Sequence, residues 1–307
     1  MAPNEFDIDT MQGPDQHDSN CFDFRNLSKI RDIERVTNPE IDSPGLLEGV
    51  RVGVLDEFNI EELDDRNRQI QELVIQQLKE RGAIIKRISV PLMKYCLPFY
   101  FTLVPAEAAT NLSRFDGLKY GSQPAFEPGE DLHDYMKRVR SAGLGLNVKR
   151  RVMLGNFLLS SKFEQYNEKV RTAQKVRRML IEQWSKELED KAIDFVMSPT
   201  TIGEEPKRIA DVLSPKPGSE SANPVAEFKM DYYSAFPNSL GIPSITIPIQ
   251  ETWGKDPKTG LKTSAYKFPG SVKLHAYFGE DYHLLRIAKQ IEAMVEENGM
   301  AAAPDRT

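Results

Sequence analysis

The run VRVGVLD (50–56) and the run AIIKRISV (83–90) bracket a segment whose reading decides the fold. The first is apolar and of strand length, as a buried strand is, and the second reads as the next strand. Between them Ile70, Leu73, Val74 and Leu78 recur at helical spacing. That spacing predicts a helix over 65–81 with these four residues on its buried face, and Gly82 stands where a helix-terminating glycine belongs. A strand–helix–strand unit of this kind predicts two parallel strands joined by a right-handed crossover. No GxGxxG opens the helix, so the unit is not read as a dinucleotide site.

Outward from this unit the pattern continues as α/β. Helices are expected over 93–113, 130–140 and 145–188, the last of them broken, and over 226–236 and 280–297. In the last, Leu284, Leu285, Ile287, Ala288 and Ile291 offer a buried face. Strands are expected at DFVMSP (194–199), PSITIPI (243–249) and SVKLHAYF (271–278), the second by its β-branched content. Ser28 to Val36 suits one short helix. Residues 201–225 are rich in Pro, Ser, Glu and Gly, which suits a loop over a cleft or interface. Residues 250–269 are polar and read as a surface hairpin or insertion. The expected organisation is a polar lead-in over 1–45, a core over 46–297 and a frayed tail over 298–307.

Composition narrows the function classes. Of the 307 residues 40% are hydrophobic and 28% charged, an ordinary globular balance. The net charge of −6 argues against a chain that grips nucleic acid unaided. The one basic cluster, Lys149, Arg150 and Arg151, is short. Cys21 and Cys96 make no disulfide framework, and Cys96 lies in an apolar stretch that suits core. His17, His133, His275 and His283 show no metal-ligand spacing, so no metal site is expected. No apolar run approaches the roughly 18 residues that span a bilayer. The first residues have neither the apolar core of a secretory signal nor the Arg-rich character of a presequence.

Candidate chemistry is sparse. Ser160 and Ser161 precede Lys162, and a Ser–Lys pair can be catalytic. Neighbours on a helix point in different directions, however, which favours plain surface or packing serines. His275 sits on a strand pattern and reads as a structural histidine. No GxSxG elbow and no Gly/Ser-rich loop occurs to seat a serine beside oxyanion donors. Arg150 and Arg151 occupy consecutive helical positions, so one can face a cleft while the other is solvated. A guanidinium fork is the natural clamp for a carboxylate, yet a solvated face is the more ordinary role. Asp231, ahead of a Gly- and Pro-punctuated apolar run, suits either an ammonium group or a helix cap.

Several stretches, in order, carry a resemblance. They are GLLEGVRVGVLDEF (45–58), PAEAATNLSRFDGLKYG (105–121), VKRRVMLGNFLLSS (148–161), AQKVRRML (173–180), DFVMSPT (194–200), FPNSLGIPSITIPI (236–249) and SVKLHAYFGEDYHLLRIAKQIE (271–292). Together they resemble the A subunits of glutamyl-tRNA(Gln) amidotransferases, within the amidase signature family, over about residues 10–295. MQGPDQHDS (11–19) is similar to a turn that precedes the first strand of that family's C-terminal half.

The resemblance implies a mixed β-sheet covered by helices on both faces. It implies a part in glutamine hydrolysis, which supplies ammonia for converting Glu-tRNA(Gln) to Gln-tRNA(Gln) in translation. The family's lysine, cis-serine and nucleophilic serine match no position here, and the resemblance places them ahead of residue 1, so no catalytic residue is expected in this chain. A truncated gene model or a split chain is the corresponding expectation. What the resemblance does assign is recognition of glutamine: Asp231 and Arg151 for its amino and carboxylate groups, with Tyr100 nearby. It implies two partners, a B subunit together with a smaller C-type one. ATP and Mg would be used by the partner, with no cofactor in this chain. It also implies a mitochondrial location in a eukaryote and a cytoplasmic one otherwise. Two alternatives stay open: a non-catalytic, partner-binding derivative of the fold, and a fragment of a general amidase.

Overall fold

The computed structural model describes residues 15–17, 47–164, 166–203, 231–249, 254–255, 262–263 and 270–297. They divide into two compact units. One takes the chain up to Pro91 and again from Gln183, and the other is Leu92–Glu182. The expected short helix at 28–36 and most of the loop at 201–225 lie outside the described residues.

The first unit is built on a five-stranded sheet. Its strands are β1 (Arg51–Leu55), β2 (Ile84–Ile88), β3 (Phe195–Pro199), β4 (Ser244–Ile249) and β7 (Gly270–His275), and they lie in the order β2-β1-β3-β7-β4. β1 pairs in parallel with both β2 and β3, whereas β7 runs antiparallel to β3 and to β4, so the sheet is mixed. The polar stretch at 250–269 contributes a two-residue antiparallel pairing of β5 (Gly254–Lys255) with β6 (Lys262–Thr263). The hairpin expectation therefore holds there.

Alternation along the strands separates the two faces. Val52, Phe195, Met197, Ile247, Ile249, Val272 and Leu274 look into one apolar core. Helix α1 (Asp65–Glu80) closes it with Ile70, Val74 and Leu78, and helix α7 (Asp281–Glu297) with Leu284, Ile287, Ala288, Ile291, Met294 and Val295. Leu73 does not join them: it is 41% exposed. Ile70, Val74 and Leu78 already complete the buried stripe, and Leu73 falls just off its edge. The start of α1 is pinned to the segment after β3. The Asp64 carboxylate accepts from the Asn67 amide (2.7 Å) and the Asn67 side chain donates to the Thr201 carbonyl (3.1 Å). Gly82 takes the positive φ of 87° expected after the helix end.

The opposite face receives helix α6 (Tyr232–Leu240). Phe236 stands edge-on to His275 with centroids 4.5 Å apart, and it also meets Phe58 (4.9 Å) and Trp184 (5.8 Å). The Tyr233 hydroxyl donates to the Phe58 carbonyl (2.5 Å). Across β1 and β3, Arg51 grips Asp194 with two side-chain bonds of 3.0 and 2.7 Å, and its backbone amide adds a third of 2.7 Å.

In the second unit, helices α2 (Cys96–Leu112) and α4 (Leu146–Leu159) pack together at a small residue. A Cβ on Gly155 would overlap the Pro105 carbonyl oxygen and lie 2.6 Å from the Ala109 Cβ. Helix α3 (Leu132–Gly143) is capped by Asp131, whose carboxylate accepts from the Asp134 amide (2.8 Å). Tyr135, buried, sets its hydroxyl between the carbonyls of Gly117 (3.0 Å) and Pro124 (2.9 Å), and Phe126 stacks on its ring at 4.0 Å. Cys96 is buried, as its apolar setting implies.

The long helical stretch at 145–188 is interrupted as expected. α4 ends at Leu159, and after one 3-10 and one π-helical turn helix α5 (Arg171–Asp190) begins. Several boundaries differ from the sequence expectation, α3 among them (132–143 against 130–140). The segment at 93–113 opens as a 3-10 turn (Pro91–Tyr95) before α2. The strand at 271–278 ends at His275: the Ala276 amide still donates to the Pro243 carbonyl (3.3 Å) in the β4 register, but Pro243 has no amide proton to return a bond. α6 starts at Tyr232 and runs through Pro237 to Leu240, four residues past the expected end at 236; residues 226–230 lie outside the described residues. Its stop is Gly241, at φ 71°, which makes the left-handed turn that a proline does not.

Candidate functional site

The three residues expected to read glutamine fall in both units. Tyr100 lies on α2, half-buried and edge-on to Phe101 at 5.4 Å. Arg151 lies on α4, exposed, with no ion pair to a described residue. Arg150 beside it is also exposed and reaches Asn147 (3.4 Å), so neither guanidinium is buried. Asp231, in the first unit, immediately precedes α6. Its backbone carbonyl accepts from the amides of Ser234 (3.0 Å) and Ala235 (2.7 Å). Its carboxylate makes no cap hydrogen bond, which removes the helix-cap alternative. Ser160 closes α4, while Ser161 and Lys162 follow in a 3-10 turn, so no Ser–Lys pair forms there.

A second set of polar groups, which the sequence does not mark as a set, lies on the α6 face of the sheet in the first unit. In SVKLH (271–275), Val272 and Leu274 enter the apolar core while Ser271, Lys273 and His275 face the other way. That alternation is the signal the sequence offers for it. Ser271 Oγ donates to Thr200 Oγ1 (2.9 Å) on the segment after β3. Lys273 Nζ donates to Ser234 Oγ (3.0 Å) in the first turn of α6. His275, wholly buried, bridges Ser198 on β3 (2.9 Å at Nε2) and Ser244 on β4 (2.7 Å at Nδ1).

The bonds assign the imidazole tautomer. Ser198 Oγ donates its one proton to the Pro199 carbonyl (2.9 Å), so Nε2 carries a proton and gives it to Ser198. Nδ1 then accepts from the Ser244 hydroxyl. Burial, followed by the nearby Lys273 charge, holds His275 well below the ordinary imidazole range, and the ring is neutral at neutral pH. With both nitrogens engaged and no exposed surface, His275 fastens β3, β7 and β4 and offers no base to a ligand. The structural role expected for it is the one it has.

Lys273 is different. It is only 9% exposed and forms no ion pair with a described residue; burial alone pushes its ammonium below the usual lysine range. Among the described residues there is no His/Cys/Asp/Glu group able to hold a metal ion. Likewise no described helix is long and apolar enough to cross a membrane.

The mixed sheet between helices and the order of its motifs define a class, and the amidase family model matches residues 8–285. The chain belongs to the amidase family. Within it, the chain is similar to the A subunits of glutamyl-tRNA(Gln) amidotransferases. It is 31% identical to that of Pseudomonas syringae pv. syringae over 254 residues, covering 81% of this chain and 46% of the relative. To that of Pseudomonas fluorescens it is 32% identical over 286 residues, covering 92% and 50%. The chain spans about half the length of the curated relatives it matches. The solved A subunit of the Thermotoga maritima amidotransferase shares the fold at a TM-score of 0.56 and 23% identity, over 87% of this chain and 47% of that one. A 6-aminohexanoate cyclic dimer hydrolase does so at a TM-score of 0.57 and 16% identity, over 92% and 50%.

Proposed function

We propose that this chain is a glutamine-recognising part of the A subunit of a glutamyl-tRNA(Gln) amidotransferase. The observation that carries this is the roughly 30% identity to such proteins over most of the chain, as in the two Pseudomonas relatives. The motifs at 105–121 and 148–155 carry the same resemblance. In this reading Asp231 pairs with the ammonium of glutamine, Arg151 with its carboxylate, and Tyr100 lies against the ligand. A free amino acid presents one cation and one anion at fixed separation, and a carboxylate with a guanidinium reads both. No Gly/Ser-rich nucleophile loop occurs within the 307 residues. Hydrolysis itself therefore falls to a serine–lysine segment of the same assembly. Ammonia then passes to a partner, the B subunit, which works with a smaller C-type one. There the activated Glu-tRNA(Gln) is amidated, using ATP and Mg.

The test has two arms. Calorimetric titration of the chain with glutamine is expected to show binding that Asp231→Ala and Arg151→Ala each weaken at least about tenfold, or about 1.4 kcal/mol. Formation of Gln-tRNA(Gln) is expected only when the partner subunits and a serine–lysine segment are supplied. Ammonia release from glutamine by the purified chain alone would overturn the assignment of roles.

One observation favours a second reading, a part of a general amidase: the fold is matched as well by the cyclic dimer hydrolase as by the Thermotoga protein. Binding of simple amides that lack ammonium and carboxylate groups, with no preference for glutamine, would select it.

A further inference from the structure

Among the described residues, Lys273 is a cation with no acid to answer it. Its side chain leaves β7 on the α6 face, is nine-tenths buried, and makes a hydrogen bond to Ser234 Oγ at 3.0 Å. A buried ammonium held by a single hydroxyl is costly unless an anion completes its surroundings. Ser234 lies in the first turn of α6, where the helix dipole favours negative charge. Its backbone amide donates to the carbonyl of Asp231. One residue thus connects Lys273 to the start of the helix that Asp231 precedes.

We propose that Lys273, with Ser234, forms a carboxylate-binding subsite at the start of α6. If Asp231 reads an ammonium group, as in the function proposed above, this subsite lets the first unit meet both charges of a small amino acid. The ligand class is a compact carboxylate, as in acetate or glutamate. The Ser234 hydroxyl, now an acceptor for Lys273, is free to turn its own proton toward the second carboxylate oxygen. The subsite is no part of the helix-terminal capping, because the Asp231 carbonyl already satisfies the Ser234 and Ala235 amides.

The test follows Lys273 itself. The full chain is labelled with 13C at the lysine ε-carbon, and the ionisation of each lysine is followed by NMR as pH rises. The Lys273→Met variant assigns the resonance. Adding acetate, and separately glutamate, is expected to raise the Lys273 midpoint by about a unit or more, because a carboxylate partner favours the charged form. Acetamide, which has the same shape and no charge, is expected to leave it unmoved. Lys273→Met is expected to weaken glutamate binding at least about tenfold, and Lys273→Arg to keep part of it. If no lysine midpoint of the native chain rises with either carboxylate, the subsite is overturned even if a variant fails to fold, since that comparison needs no assignment. The acetate response does not depend on Asp231. Its presence alongside normal glutamine binding by Asp231→Ala would leave the subsite standing and remove the glutamine assignment.

Discussion

His275 spends both ring nitrogens inside the sheet, and that makes its protonation state a stability matter. Its folded-state pKa lies well below the ordinary value of 6.5, because burial disfavours the imidazolium and Lys273 adds repulsion. The unfolded chain takes up this proton as pH falls through about 6.5, whereas the folded chain does so only at markedly lower pH. Between the two values the unfolded state binds more protons. The contribution of His275 is thus whole above about pH 6.5 and is lost as pH falls below it. Urea unfolding across about pH 4.5–8 is expected to show this loss, and His275→Gln to flatten it. A glutamine can accept from Ser244 and donate to Ser198, and it does not titrate. An unchanged pH slope in the variant would contradict the neutral-imidazole assignment.

At the scale of elements, the contact between α2 and α4 depends on one missing side chain. Gly155 lets the α4 backbone approach Pro105 and Ala109, and a methyl group there has backbone to displace, not a flexible side-chain end. Gly155→Ala is expected to destabilise the second unit by about 1–3 kcal/mol, the usual range for overpacking. Hydrogen exchange should locate the loss in residues 96–159. Protection there equal to the native chain would show that the helices separate freely. In the sequence, VKRRVMLG (148–155) stands out for its arginines. Its glycine proves to have a packing reason that spacing alone does not disclose, because the carbonyl it meets belongs to Pro105, on a different helix.

At the scale of the molecule, the two outer strands of the sheet are unequally protected. β2 carries Lys86 and Arg87, which bond the Lys191 carbonyl (2.6 Å) and Asp56 (2.7 Å), and a charged edge resists strand addition. β4 has no charged residue, and Ser244, Thr246 and Pro248 are exposed along it. Among the described residues it pairs with β7 alone. The chain is expected to self-associate as concentration rises, with Thr246→Lys reducing the association. Sedimentation velocity over a wide concentration range checks this, and a concentration-independent monomer would contradict it.

The elements themselves were legible because their signals are local. Strand runs such as 50–56 and 194–199, the helical periods of α1 and α7, and Gly82 at a helix end each depend on neighbours within a turn or two. The order of motifs likewise sufficed for the family, since it needs no coordinates. Boundaries such as the run of α6 through Pro237 were not legible, because the glycine beyond it, Gly241, governs the stop. Asp231 could be read as a ligand group or a cap from its position, and only the geometry at the start of α6 removed the cap. The bonds of His275 and the isolation of Lys273 depended wholly on tertiary structure. Their partners come from β3, β4 and α6, which the sequence separates by 31 to 77 residues. Hydrophobic period tells which face a residue takes; which charge it meets there is decided only when distant strands come into register.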